Sequence, residues 1–169
     1  MLSFKIYVAE ALNQPYPLKW KTSDPDEVEA RAITKNRELN MYFSNVANTG
    51  DAPVIDISFL TKDIGAQGWG TVKATGEGDE FRVFATVKKA VEDWWRIRKK
   101  LYKKEIEEIK FVSSKHDEDA KRRDALYKRL GKEFAKKTGY NLTIHQAQYG
   151  VIFRLITDKE KKRLERARR

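Results

Sequence analysis

The chain has 169 residues, of which 40% are apolar and 36% are charged, and its formal net charge is +10. This length and apolar content suffice for one folded domain and argue against disorder. The absence of cysteine excludes disulfides and thiolate metal sites, and no ligand spacing around His116 or His145 suggests zinc, so we predict no metal.

Targeting signals are not evident in the sequence. The N-terminal run MLSFKIYVAEAL carries Lys5 and Glu10 and lacks the basic region followed by a long apolar region that marks a signal peptide. No apolar run approaches the roughly 20 residues of a membrane span. We therefore expect a protein made in the cytosol, without secretion by a signal peptide and without a membrane partner.

The first 80 residues predict mainly strands. Alternating or continuous apolar residues predict strands at 4–8, 39–43, 54–60 and 71–75. Pro15 and Pro17 predict a loop or an extended arm over 13–21. Ser23-Asp24-Pro25 has the pattern of a helix start, with a cap and a proline in the first turn, and predicts a short helix.

The second half predicts alternating strands and helices. Phe81–Thr86 alternates like a strand, and a turn at 76–79 predicts a hairpin between it and the strand before it. Helical spacing begins at Val87. The remaining predictions are a strand at 106–113, a long helix that ends at Gly139, strands at 140–144 and 151–156, and a basic helix or tail at 158–169.

This order of elements predicts the fold class. A strand-helix-strand connection is right-handed and makes its strands parallel. We therefore predict a single α/β or α+β domain over residues 1–157, with a mixed central sheet, antiparallel N-terminal strands and a β-α-β-α-β half at 80–156. The basic segment 158–169 lies outside this domain.

Charge is distributed unevenly along the chain. Residues 1–80 carry a net charge of −4, and residues 81–169 carry +14. Such asymmetry indicates a basic face that attracts nucleic acid or another polyanion. Two segments offer candidate surfaces, namely Trp94-Trp95 with the basic residues after it and the tail 159–169. The alternative is that these basic residues only solvate helix surfaces and that Trp94 belongs to the core.

One helix carries a resemblance to a known family. The stretch Asp124-Ala125-Leu126-Tyr127-Lys128-Arg129-Leu130-Gly131 resembles the A-x-x-L-Y-x-x-L-G-F helix of GNAT-type N-acetyltransferases, and it follows a predicted strand as in that family. The strand at 84–86 and the helix at 87–100 match the order of the family's cofactor motif. Residues 83–87 with the later Arg-Arg-Asp-Ala-Leu-Tyr-Lys-Arg-Leu and Lys-Lys-Thr-Gly-Tyr are also similar to proteins of tailed bacteriophages.

The resemblance implies a cofactor site but also marks a departure from it. Backbone N–H groups of a glycine-containing turn hold the pyrophosphate of acetyl-CoA in the family, whereas Thr86-Val87-Lys88-Lys89-Ala90 contains no glycine. If acetyl-CoA binds, the resemblance places backbone hydrogen bonds at Ala85 and Thr86 and the phosphates at Lys88 and Lys89. It places the cofactor between the strands at 81–86 and 107–113, which should diverge there.

Tyr127 aligns with the tyrosine that protonates the leaving thiolate in many members of this family, which implies a catalytic acid. The alternative is a helix tyrosine whose ring lies in the core. Two functions remain open: a phage-encoded GNAT-like protein with a degenerate acyl-CoA loop that binds nucleic acid or a phage or host protein, and an active acetyl-CoA-dependent N-acetyltransferase. For the binding protein we expect no cofactor, and for the enzyme we expect acetyl-CoA. A protein with either function would act in the host cytoplasm or the virion.

Overall fold

The structure is a computed structural model, and it describes residues 14–24, 26–47, 51–68, 70–71, 80–98, 104–114 and 120–167. The strands are β1 (Lys19–Asp24), β2 (Glu27–Ile33), β3 (Arg37–Asn45), β4 (Val54–Asp63), β5 (Gly70–Thr71), β6 (Glu108–Ser114), β7 (Asn141–Ala147) and β8 (Gly150–Ile156). The helices are α1 (Glu80–Arg98), α2 (Ala120–Thr138) and α3 (Asp158–Ala167). None of the helices in these ranges is long and apolar enough to cross a membrane.

The strands form a mixed sheet, which confirms the predicted fold class. Hydrogen bonding gives the order β1-β2-β3-β4-β6-β8-β7, and β5 pairs with β4 beside this series. The N-terminal pair β1–β2 is antiparallel, β4 and β6 are parallel, and β6, β8 and β7 are successively antiparallel. The sheet therefore combines N-terminal antiparallel strands with one parallel step, as the sequence predicts.

The strand predicted at 81–86 is wrong, because these residues form the first turns of α1. Alternation requires Phe84 and Thr86 to face away from Val83, yet all three are buried, at 5%, 0% and 7% exposure. Their burial continues through Val87, Ala90, Val91 and Trp94, which is the spacing of one helical face. The hairpin predicted between 69–75 and 80–86 is wrong for the same reason.

The parallel unit nevertheless exists with a different first strand. Val54–Ile57 of β4 pair with Glu108–Phe111 of β6, and α1 lies between these strands in sequence. The order β4-α1-β6-α2-β7 is thus a β-α-β-α-β series, with β8 added last and inserted between β6 and β7. The predicted series is right in kind, but it begins at Val54 rather than at Phe81.

The helix predicted after Ser23 is also wrong, because β1 and β2 form a hairpin there. Val28, Ala30 and Ala32 are buried and alternate with partly or fully exposed residues, which is the period of a strand. Ser23 and Asp24 end β1 rather than cap a helix, and Asp24 pairs with Glu27. Residues 14–18 form neither helix nor strand, and we call them the arm; β1 begins at Lys19, within the segment predicted as a loop or an extended arm.

Several predictions lie outside the described residues or agree with the structure. The strand predicted at 4–8 and most of the strand predicted at 71–75 lie outside the described ranges. The strands at 39–43, 54–60, 106–113, 140–144 and 151–156 are confirmed within a few residues. Gly139 ends α2 with φ of 78°, in the left-handed conformation that its position after the helix predicts.

The chain divides into two compact units. The first contains the described residues up to Tyr42 and from Phe59 to Arg96. Its core takes one face of β2 and β3 and the apolar face of α1, where the largest fully buried side chain is Trp94, at 1% exposure. The arm at 14–18 is fixed to α1 in this unit: the Tyr16 N–H donates to Thr86 Oγ1 at 2.8 Å, and the Arg82 guanidinium lies 3.9 Å over the Tyr16 ring.

The second unit contains the described residues from Phe43 to Ser58 and from Ile97 onward. Helix α2 packs on the face of the sheet that carries Phe111 and Phe153, whose rings stack at 5.2 Å. The Tyr140 hydroxyl donates to the Ile106 carbonyl and anchors the chain between α2 and β7. At Gly150 a Cβ atom would lie 2.1 Å from the Ser113 carbonyl oxygen, so that the close approach of β8 and β6 requires glycine there.

Thr86→Val should release the arm from α1. Thr86 is fully buried and its hydroxyl accepts from the Tyr16 N–H while donating to the Arg82 carbonyl. Valine has the same shape but leaves that N–H without its acceptor, which costs about 1–2 kcal/mol in such a setting. We expect the Tyr16 amide to lose protection in hydrogen exchange by roughly tenfold or more. Thr86→Ser keeps the hydroxyl and is the control; equal exchange in both variants would contradict the tether.

Candidate nucleic-acid interface

Helix α2 places its buried residues along one side. Arg123, Tyr127, Leu130, Gly131 and Phe134 are all buried and recur at intervals of three, four or one residue. This is the spacing of a single helical face. Two contacts fix the orientation of that face: the Tyr127 ring meets Phe111 and Phe153 edge-on, at 5.5 and 6.0 Å between centroids.

The opposite side of α2 is cationic. The helix contains eight Lys and Arg and two acids. Successive residues of a helix are rotated by 100°, and this rotation places five exposed cations within an arc of about 100° opposite the buried face. We call this set the α2 stripe, and it consists of Lys121, Lys128, Arg129, Lys132 and Lys136.

The length of the α2 stripe suits a polyanion. Lys121 and Lys136 are fifteen residues apart, which corresponds to about 22 Å along a helix. One strand of B-DNA carries a phosphate about every 3.4 Å of its axis, so the stripe spans roughly six phosphates. Arg129 also pairs with Glu133 at 2.9 Å, and no ion pair described for residues 120–138 involves Lys128, Lys132 or Lys136.

The predicted cofactor residues lie in the interior of α1. Ala85 and Thr86 are buried, and Lys89 pairs with Asp93 at 2.7 Å on the helix surface. Interior helix N–H groups bond the carbonyl four residues earlier, so Ala85 and Thr86 do not present N–H groups to a cofactor. Lys88 and Lys89 lie more than two turns after Glu80, away from the helix N-terminus, where phosphate binding is favoured.

Tyr127 lies in the core of the second unit. Its side chain is 7% exposed, and burial raises the pKa of its phenol, with the Arg123 charge opposing that effect. The ring position on Phe111 and Phe153 agrees with the alternative of a core tyrosine. Tyr127, the predicted catalytic residue, belongs to the second unit, whereas the four predicted cofactor residues on α1 belong to the first.

The other surfaces suggested by the sequence have mixed outcomes. Trp94 is buried as the core alternative predicts, whereas Trp95 is partly exposed, 6.4 Å from it between ring centroids. The basic segment after Thr157 is helical as α3, with Asp158 and Glu160 in its first turn.

The first unit contains a polar cluster that the sequence does not predict. Asn40 is fully buried on β3 and donates to the Glu29 carboxylate and, at 2.7 Å, to the Tyr42 hydroxyl. Arg31 also donates to Glu29. Burial acts to raise the pKa of Glu29, but the hydrogen bonds from Arg31 and Asn40 outweigh it and lower that pKa. The alternation of residues in β2 indicates that Glu29 and Arg31 share one face of the strand, but it does not indicate that Asn40 of β3 contacts Glu29.

Within the described ranges, no group of three acidic or histidine residues is arranged to hold a metal ion. Comparison with protein-family models, curated proteins and solved structures found no match to this chain.

Glu29→Gln should remove an acid-sensitive part of the stability. A lowered pKa means that the carboxylate stabilises the fold above its ordinary value of 4.5 and loses this effect as the pH falls through the lowered pKa. We expect a loss of about 1 kcal/mol at pH 7, since Arg31 is half exposed and screened. Urea unfolding should show the difference from the wild type shrinking in acid.

Glu27→Gln is the matched control for this prediction, because Glu27 lies on the same strand and is exposed. We expect its effect to stay within about 0.5 kcal/mol at both pH values. A Glu29→Gln difference that is the same at pH 7 and in acid would contradict the role of the charged carboxylate.

Proposed function

We propose that this chain is a phage-encoded, GNAT-like accessory or virion protein that binds nucleic acid through the α2 stripe in the host cytoplasm or the virion. The observation that carries the proposal is the alignment of five exposed cations on α2, opposite the face that anchors the helix. Rigid helices hold charges at fixed spacing, and phosphate contacts from such a surface supply affinity without sequence readout.

The charge of the whole chain supports the same function. The half of the sequence that contains α2 carries +14, so the long-range field favours approach of a polyanion. The described α2 residues hold two acids, Asp124 and Glu133, and both lie beside the stripe rather than within it. The stripe therefore keeps one sign of charge along its length.

The pairing of β4 supports a binding role over catalysis. The GNAT resemblance implies that the strand parallel to β6 offers backbone groups to acetyl-CoA, and in this chain that strand is β4. One edge of β4 lies beside β3 along its length. The Val46 N–H donates to the Val54 carbonyl at one end, and the Ile64 N–H donates to the Asn36 carbonyl at the other. On the other edge, Leu60 and Thr61 pair with β5. The chain's own β5 thus uses the backbone groups that a cofactor would need there.

A salt titration with duplex DNA tests this proposal. Five cations that neutralise four to five phosphates give a slope of about −4 for log K against log salt concentration. Replacing Lys128, Lys132 and Lys136 by Gln should reduce the magnitude of the slope by about 3 and the affinity on the order of 100-fold near 0.1 M salt. Fluorescence anisotropy with a labelled duplex of about 30 base pairs measures both.

The control removes the same charge from the first unit. Lys19, Lys21 and Lys35 are exposed there, and their triple Gln variant should change the affinity by less than about threefold. Equal losses in the two triple variants would reduce the effect to net charge and reject the α2 stripe. No binding of the wild-type protein at low salt would reject the nucleic-acid function.

An acetyl-CoA-dependent N-acetyltransferase is the second candidate, and one observation favours it. The parallel ladder between β4 and β6 ends at Ile57 and Phe111, although β4 continues to Asp63 and β6 to Ser114. Parallel strands that part along their length are what the cofactor half of the GNAT family requires. In this function Tyr127 would be the acid.

Calorimetry with acetyl-CoA distinguishes the second candidate from the first. An active enzyme should release heat on binding, and Tyr127→Phe should lower the acetylation rate roughly 100-fold with little change in cofactor affinity. Absence of heat and of any thermal shift at millimolar acetyl-CoA rejects catalysis and leaves the DNA result unaffected.

A further inference from the structure

A cavity of about 540 Å³ opens in the second unit, and none of the residues of the α2 stripe lines it. One wall is apolar and comes from the end of β3 and the start of β4, with Val46, Ala47, Ala52 and Val54. The other wall is charged and comes from the chain before β6 and from α3. Its charged residues are Lys104, Glu107, Lys159 and Arg163, and Asp51, which precedes β4, also lines the cavity.

Hydrogen bonds within the second unit hold the two walls of the cavity in place. The Asn45 side-chain oxygen accepts from the N–H groups of Ala47 and Val54, both at 3.2 Å, and fixes the apolar wall. The Glu107 N–H donates to the Pro53 carbonyl at 2.9 Å. The Glu107 carbonyl in turn accepts from the Thr157 N–H at 3.2 Å, which seats the start of α3. The cavity is therefore formed by the fold itself.

The buried carboxylate of Glu160 orients Arg163, one of the cations of the charged wall. Glu160 is 2% exposed, and its carboxylate holds the Arg163 guanidinium through contacts of 2.9 Å from Nη2 and 2.6 Å from Nε. The Thr157 hydroxyl accepts from the Glu160 N–H at 3.2 Å and caps α3. This clamp uses one edge of the guanidinium, and the side chain of Arg163 is 70% exposed along the cavity.

The net charge of the cavity depends on one proton. Lys104, Lys159 and Arg163 face Asp51, Glu107 and the adjoining Glu160, so that full ionisation gives no net charge. Burial raises the pKa of Glu107, and the neighbouring Glu160 carboxylate raises it further against the charges of Arg163 and Lys159. Nearby, Glu108 and Arg154 neutralise each other through contacts of 2.7 and 2.5 Å. A proton on Glu107 leaves one positive charge.

We propose that this cavity binds a small organic anion, with a phosphate or carboxylate head on Lys159 and Arg163 and an apolar body against Val46 and Val54. Its volume lies within the roughly 300–1,000 Å³ of small-molecule sites, and it combines an apolar wall with a few convergent polar groups. The walls differ in character, so a ligand with two ends fits them better than a bare ion.

Titration of the folded protein with three probes tests the site. The probes are inorganic phosphate, phenyl phosphate and benzoate, followed by the amide signals of Ala47, Val54 and Glu107 in NMR spectra. We expect phenyl phosphate to bind roughly tenfold more tightly than inorganic phosphate, because its ring buries apolar surface on Val46 and Val54. Benzoate separates recognition of a carboxylate from recognition of a phosphate. No shift at these amides with any probe overturns the proposal.

The pH dependence is read with benzoate, whose charge is constant from about pH 6 to pH 8 because a carboxyl ionises near pH 4. The raised pKa of Glu107 keeps more of its proton in place as the pH falls toward 6, so benzoate should bind more tightly at pH 6 than at pH 8, by up to about twofold. Glu107→Gln is neutral at every pH and should bind with the tighter affinity throughout this range. Pronounced pH dependence that persists in Glu107→Gln overturns this assignment.

A matched pair of lysines on α3 locates the head of the ligand. Lys159 lines the cavity, whereas Lys161 is exposed on the same helix and is not among the lining residues. Lys159→Gln should weaken phenyl phosphate by about three- to tenfold, and Lys161→Gln by less than about 1.5-fold. Equal losses would mean that the helix attracts anions as a whole and would reject the cavity as a site.

Discussion

The packing of Tyr127 edge-on against Phe111 and Phe153 determines how α2 is displayed. This contact commits one side of the helix to the sheet, and the 100° rotation per residue then commits the opposite side to solvent. The five cations of the α2 stripe lie on that side because the aromatic contacts hold the other side of the helix against the sheet. The same residue that resembles a catalytic acid is thus the one that orients the candidate interface.

The sequence predicts the elements well where a single period dominates. Strands β4, β6 and β8 carry strong apolar runs and lie where they are expected. Residues 81–86 fail because a short segment can satisfy both periods: Phe81, Val83 and Ala85 alternate, but the burial of Phe84 and Thr86 follows from contacts made on folding. The hairpin of β1 and β2 shows the reverse, since a helix-start pattern concealed an alternation of seven residues.

The candidate sites were predictable only in part, for a physical reason. The excess of +14 in the second half indicates a basic face, but selecting α2 over α3 or the Trp94 region requires knowledge of which side each helix buries. The cavity lies further beyond reach, because Glu107 and Glu160 are separated by 53 positions and meet only through the seating of α3. Local patterns describe faces of elements, and sites of this kind arise where elements meet.

Asn45 gives the second unit a closed boundary at the start of β4. Its side-chain oxygen accepts from Ala47 on one side and from Val54 on the other, so the two ends of the intervening segment are held together independently of its length. One amide side chain thus ties the end of β3 to the start of β4, and a change at Asn45 would reach both strands and the apolar wall of the cavity at once.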